Sequence, residues 1–190
     1  MSSPSSNRPP NAVCVYCASS DRGAERHRVE AERLGRGLAR GGAKLVYGGG
    51  HVGLMGVCAD GALAEGGAVH GVIPKALQDR EVAHNGLTEL TVTPDMQTRK
   101  TLMFQQSDAI CALPGGLGTL DELCEALTWR QLGFHQKPIL LVNIEGFWGP
   151  LLSLLTHMDG EGYLPKGALA MATIVDDADA ALAAMGFRTD

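Results

Sequence analysis

The chain has 190 residues, 45% of them hydrophobic, with 25 glycines and few aromatics. That is enough for one well-buried domain and short for two, and so many glycines suit the tight strand-to-helix turns of an α/β protein. A net charge of −5 without any basic run excludes a protein that binds nucleic acid by neutralising its phosphates, and no stretch approaches the roughly 18 apolar residues of a membrane span.

Residues 1–11 are rich in Ser and Pro, lack an apolar stretch, and read as a disordered tail rather than a signal peptide. Residues 12–190 read as a single domain. From Ala12 onward short apolar runs alternate with amphipathic stretches, which predicts strands at Ala12–Cys17, Ala43–Tyr47, Ala68–Ile73, Glu89–Thr93, Ala109–Leu113, Ile139–Asn143 and Thr173–Val175. Between them, helices are expected at Ala24–Arg40, Gly53–Glu65, Pro94–Gln106, Thr119–Leu132, Phe147–Met158 and Asp177–Met185. Gly41-Gly42, Gly66-Gly67 and Gly133 stand where helix C-terminal glycines belong. The fold class is therefore α/β, a Rossmann-like doubly wound parallel sheet with helices on both faces. The five cysteines are odd in number and mostly inside apolar runs, so they form no disulfide framework and point to a reduced cytoplasm. Cys14 and Cys17 make a lone CxxC inside a strand, with no second pair and no His partner, and read as buried hydrophobes.

In such a sheet ligands bind outside the carboxyl ends of the strands. The first loop, Ala18-Ser19-Ser20, offers hydroxyls for a sugar or phosphate, or is an ordinary polar turn. The second runs from Tyr47 to Gly56 and contains GxGxxG at Gly48, Gly50 and Gly53. A dinucleotide site would need an acid at the end of the next strand, and Ala68 to Pro74 carries none, so a general phosphate or ribose pocket remains. No GxxxxGK[ST] is present, and His51 reads as an ordinary loop histidine. The fourth loop opens a helix, with Thr93 expected as its cap and Pro94 at its first position. Met96, Arg99, Lys100 and Met103 then share one face, where two cations among apolar neighbours call for an anion: a substrate phosphate, or the carboxylate of Glu122. A solvated pair over a methionine-rich face is the alternative.

The fifth loop is the most informative. A strand ends at Leu113, the chain turns through Pro114, Gly115, Gly116, Leu117 and Gly118, and a helix follows from Thr119. Glycines let the backbone approach an anion closely, and free N–H groups with the helix dipole favour negative charge there. Asp121 and Glu122 are expected in the same first turn, an odd choice for a site that only holds an anion. Thr119 to Glu122 also fits a capping box, which accounts for the acids without any chemistry.

With Met96-Gln97-Thr98-Arg99-Lys100-Thr101-Leu102-Met103 and Pro114-Gly115-Gly116-Leu117-Gly118-Thr119-Leu120-Asp121-Glu122 both in view, the chain resembles the LOG (Lonely Guy) family. These are cytokinin riboside 5′-monophosphate phosphoribohydrolases, often mislabelled as lysine decarboxylases. The motif PGGxGTxxE is matched in full, and the resemblance extends from Val13 to about Val175. One departure is Cys17-Ala18-Ser19-Ser20, where the family commonly has glycine at the second position.

The resemblance implies Arg99 and Glu122 as catalytic residues, with Gly115, Gly116, Gly118 and Thr119 holding the phosphate. By the same resemblance Lys100 and Thr128 line the site, and Glu81 corresponds to a base- or ribose-contacting acid; Ser19, Ser20, Gly49, Gly50, Met96, Leu117 and Asp121, in the loops at the same end of the sheet, are further expected to bind substrate. It also implies a homodimer. The implied reaction is hydrolysis of AMP or N6-modified AMP to free base and ribose 5-phosphate, through an oxocarbenium-like state that a carboxylate can stabilise. Glu122 could stabilise that charge or orient the water; Arg99 could anchor the phosphate, hold Glu122 ionised, or donate towards the departing base. Neither metal nor cofactor is needed, and no nucleic-acid or membrane partner is expected. The rival from another class is a nucleotide-binding or carrier module of the same fold, which has no use for a carboxylate beside a phosphate. A pyridoxal-phosphate decarboxylase needs a Schiff-base lysine, and only Lys100 of the five lysines lies near the expected site.

Overall fold

The computed structural model describes residues 8–78 and 83–188. Seven strands, β1 (Ala12–Tyr16), β2 (Lys44–Tyr47), β3 (Val69–Pro74), β4 (Glu89–Thr93), β5 (Ala109–Ala112), β6 (Ile139–Val142) and β7 (Thr173–Val175), form one parallel sheet. Their order is β4-β3-β2-β1-β5-β6-β7. The helices between them are α1 (Glu25–Arg40), α2 (Gly53–Ala64), α3 (Lys75–Gln78), α4 (Met96–Gln105), α5 (Leu117–Gln131), α6 (Gly149–Gly160) and α7 (Ala178–Ala184). The α/β class and the doubly wound parallel sheet expected from the alternating pattern are what the chain builds.

The central strands are apolar on both faces because both faces are covered. Val13, Val15 and Cys17 point towards α1, α2 and α7, where Ala31, Leu34, Leu38 and Leu182 are buried. Cys14 and Tyr16 point the other way, towards Met103 of α4 and Leu123 and Ala126 of α5. The same alternation runs through β5 and β6, with Cys111 and Leu140 on the first face and Ile110 and Leu141 on the second. Each fully buried leucine contributes about 1.5–3 kcal/mol through removal of apolar surface from water.

Element boundaries fall within about two residues of those expected, and the differences have local causes. The cap of α4 is Asp95, whose carboxylate accepts from the Thr98 amide at 2.7 Å, so neither Thr93 nor Pro94 holds the position expected of it. The Thr93 hydroxyl instead donates to the Asp95 carbonyl. Ahead of α6 the chain makes a 3₁₀ turn at Ile144–Gly146, and the Asn143 side chain accepts from the Trp148 amide, which delays the helix from Phe147 to Gly149. Helix α3 and a second 3₁₀ turn at Ala168–Met171 were not expected; both are four residues long, too short to show a period. Residues 1–7 of the expected tail lie outside the described residues, while Asn11 at its end donates to the Asp108 carboxylate at 3.0 Å.

The alternation also separates the two cysteines of the CxxC, since Cys14 lies on one face of the sheet and Cys17 on the other. Burial pushes the thiols of Cys14, Cys17 and Cys111 upward and that of Cys58 up to about 12, while Cys124 is exposed on α5. Titration with a chromogenic disulfide at pH 8 is therefore expected to find one reactive thiol in the native protein and all five after denaturation. Rapid reaction of Cys14 or Cys17 in the folded chain would contradict a purely structural role for that pair.

Candidate active site

The strand order reverses at β1, which lies between β2 and β5 and so sends its neighbours' connections to opposite faces. A crevice opens outside the carboxyl ends at such a point. Here it is a cavity of about 330 Å³, lined by Cys17, Ala18, Ser19 and Ser20 after β1 and by Gly116, Leu117, Gly118, Thr119 and Glu122 after β5. Met55 of α2, Leu77 of α3 and Met96 and Arg99 of α4 close it.

The N-cap of α5 is Gly116 and the helix starts at Leu117, two residues before the expected Thr119. The first helical hydrogen bond runs from the Leu120 amide to the Gly116 carbonyl at 3.0 Å, so the amides of Leu117, Gly118 and Thr119 precede the ladder at the positive end of a 15-residue helix. A Cβ at Gly116 or Gly118 would meet nothing within 4 Å, so the backbone there is open to a ligand. This arrangement can take a phosphate. It also removes the capping-box reading: Thr119 is the third residue of the helix and only 4% exposed, and Asp121 and Glu122 lie in the second turn, not the first. Glu122 is 5% exposed and four residues beyond Gly118, hence on the same face of the helix one turn further in.

Arg99 is 3% exposed. A guanidinium so buried needs acceptors, and Nε donates to the Val72 carbonyl of β3 at 3.1 Å while Nη2 donates to the Gly48 carbonyl at 3.0 Å. Nη1 lies 3.8 Å from the Met96 sulfur. Glycine at position 48 is a steric requirement, because a Cβ there would stand 2.0 Å from Nη2. The two loops flanking the cavity are locked together at Gly53, which has φ +73° and whose Cβ would come within 2.7 Å of the Ala18 carbonyl. The Gly53 amide donates to Asp21, and the Met55 amide donates to the Ala18 carbonyl. Ala18 keeps a negative φ, so the departure from glycine at this position costs no backbone strain.

Of the residues expected at the site, Ser19, Ser20, Met96, Arg99, Gly116, Leu117, Gly118, Thr119 and Glu122 meet at the cavity. The others among the described residues stand apart from its lining. Gly115 lies beneath Thr119, and Gly49 and Gly50 face the 83–84 segment, Gly49 accepting from the His84 amide and Gly50 bridging Ala83. Lys100 pairs with Asp121 at 3.0 Å, and the Thr128 hydroxyl donates to the Cys124 carbonyl further along α5. Glu81 lies outside the described residues. Sequence reasoning missed the Gly48 carbonyl, although Gly48 was visible in the GxGxxG pattern, and it missed Leu77, for which no signal exists in so short a helix.

Among the described residues one further cluster, His51, Asp60 and His84, brings three ligand-type atoms within 4.8 Å of one another. The Gly86 amide donates to His84 Nδ1 at 3.0 Å, so the ring proton sits on Nε2 and is given to Asp60 at 2.9 Å. Both ring nitrogens are thereby used, and His84 has no lone pair to offer a cation; a metal-binding histidine would donate from its second nitrogen instead.

The sequence profile of the family described as "Possible lysine decarboxylase" matches residues 55–185. A cytokinin riboside 5′-monophosphate phosphoribohydrolase of Rhodococcoides fascians is 44% identical over 177 residues, 93% of this chain and 89% of that protein. A protein of the same name from Arabidopsis thaliana is 43% identical over 156 residues, 82% of this chain and 73% of its own length. Among solved structures, the molybdenum cofactor carrier protein of Chlamydomonas reinhardtii superposes with a TM-score of 0.71 at 24% identity, covering 91% of this chain and 94% of its own. At that identity the likeness speaks for the fold alone.

Proposed function

Since the chain belongs to the LOG family, the cytokinin riboside 5′-monophosphate phosphoribohydrolases, we propose that it hydrolyses the N-glycosidic bond of AMP and N6-modified AMP. The products are the free base and ribose 5-phosphate. The observation that carries this reading is that a buried carboxylate and a buried guanidinium border the same cavity as an open helix N-terminus.

The phosphate sits on the amides of Leu117, Gly118 and Thr119, with the Ser19 and Ser20 hydroxyls opposite. Four residues separate Gly118 from Glu122, a rise of about 6 Å, which is of the order of the span of a ribose from its 5′-phosphate to C1′. Glu122 then faces the carbon where positive charge develops as the bond to the base breaks. Water adds to C1′, its proton passes to the Glu122 carboxylate, and the electron pair of the broken bond goes to the base nitrogen, which takes up a proton from solvent as Glu122 gives its own back to solvent. A guanidinium does not give up a proton in a protein, so Arg99, fixed by two carbonyls, serves as a positive charge where the departing base gathers electrons. Leu77, Met96 and the 85%-exposed Leu117 give the cavity apolar edges suited to an N6 substituent.

The assembly we assign is a homodimer. An apolar groove of about 300 Å³ runs between α5, α6 and the 168–171 turn, lined by Leu127, Leu151, Leu155, Leu169 and Ile174. A second copy of the chain is the occupant that the family resemblance implies. No helix among the described residues is long and apolar enough to cross a membrane, and five free thiols suit a reducing compartment, which we take to be the cytoplasm.

Purified protein is expected to release free base from AMP and from isopentenyladenosine monophosphate without added cofactor. Glu122→Gln should lower that rate by about 10²–10⁴-fold while AMP still binds. Full turnover in the variant would remove Glu122 from the mechanism, and AMP binding without turnover in the wild type would favour the carrier reading. Light scattering is expected to give the mass of two chains for the wild type and of one for Leu169→Glu, with helical content retained. A wild-type monomer at micromolar concentration would refute the dimer.

A further inference from the structure

Lys100 follows Arg99 on α4, and Asp121 precedes Glu122 on α5. The Lys100 ammonium lies 3.0 Å from the Asp121 carboxylate and 3.3 Å from that of Glu125, with the lysine side chain 12% exposed. None of the three residues lines the cavity. We infer that Lys100 is a positioning residue, whose bridge to Asp121 and Glu125 sets the distance between the α4 residue Arg99 and the α5 residue Glu122. The inference rests on the hydrolase reading of the site.

The topology gives such a clamp its role. Arg99 is anchored to the β2–β3 side of the sheet through the Gly48 and Val72 carbonyls, whereas Glu122 belongs to the helix that follows β5 on the other side of β1. The two groups are thus held by opposite halves of the crevice. At their far ends α4 and α5 meet through Phe104 and Trp129, whose rings pack edge to face with centroids 4.9 Å apart. Between those ends, Met103 of α4 and Leu123 and Ala126 of α5 share the buried core. At the ends that carry Arg99 and Glu122, the Lys100 bridge adds a charged contact to that packing and restrains the separation of the two helix starts where it matters to the site.

The electrostatics agree. Asp121 and Glu125 are four residues apart on one helix face and repel each other unless a cation stands between them. Burial works against the Lys100 ammonium, yet hydrogen bonds and attraction from Asp121 and Glu125 outweigh it and hold the group above the ordinary lysine range. The charge is therefore constant wherever an enzyme of this kind would work.

Lys100→Met keeps the length of the side chain and removes the charge. Its kcat for AMP is expected to fall about 10–100-fold, the loss that a displacement of about 1 Å brings. The Kd for AMP, by calorimetry on Glu122→Gln with and without Lys100→Met, should stay within about twofold, since no substrate contact is lost. Lys100→Arg, which still bridges two carboxylates, should recover most of kcat. A readout that needs no turnover is the ¹³C signal of the Glu122 carboxyl, expected to be single and sharp in wild type and Lys100→Arg but broadened or split in Lys100→Met. A rise in Kd with kcat intact would make Lys100 a substrate ligand and overturn the inference; so would a Lys100→Met variant that matches wild type in both kcat and spectrum. Should the wild type release no base while the spectral change still follows the charge, the clamp stands and the hydrolase reading falls.

Discussion

A guanidinium taken out of water must be given acceptors, and much of the site follows from how Arg99 obtains them. Two of its partners are the backbone carbonyls of Val72 and Gly48, groups that cannot rotate away or change protonation. That choice imposes conditions elsewhere. Position 48 must be glycine to let Nη2 approach, β3 must end beside α4, and α4 must start close to the crevice, which the Asp95 cap secures. The cation is held in place before any ligand arrives, so little reorganisation is left for the reaction itself.

The reversal of strand order then decides what meets the cation. Because β1 has β2 on one side and β5 on the other, the turns after β1 and β5 face each other across the crevice. Ser19 and Ser20 come from one, the open α5 N-terminus from the other. An anion-binding element and an acid are thus presented by a single helix, the amides of its first turn and Glu122 of its second. A carboxylate beside those amides would repel an anion bound on them; Glu122 stands one helical turn further along.

The sheet was legible in the sequence because β1, β5 and β6 are short runs apolar on both faces, and β5 ends in a Pro-Gly-Gly turn. Helix starts were less so: Thr119 can cap a helix as well as lie within one, and only the position of Gly116 as N-cap tells the two apart. Four-residue elements such as α3 leave no period to find, so Leu77 gave no warning that it borders the cavity. The contact between Arg99 and the Gly48 carbonyl joins residues 51 apart through the backbone, where residue identity says nothing of direction. The motif carried by Arg99 and Lys100 suggested two cations at one site. Consecutive residues on a helix point about 100° apart, and the structure separates them accordingly, one towards the sheet and the cavity and the other towards α5.

That divergence settles how three acids so close together on α5 can differ in use. Asp121 and Glu125 lie one turn apart on the face that looks at Lys100, and their charge is spent on it. Glu122 is one residue on from Asp121 and so turned towards the crevice, only 5% exposed and part of the same cavity lining as Arg99 and Thr119. In that setting a carboxylate interacts strongly with whatever charge forms beside it, since little water remains to screen the pair. The helix therefore presents the ligand with amides and one acid rather than with three negative charges. Without a cation on the outer face, the same sequence would set three negative charges close to the open amides of the α5 N-terminus.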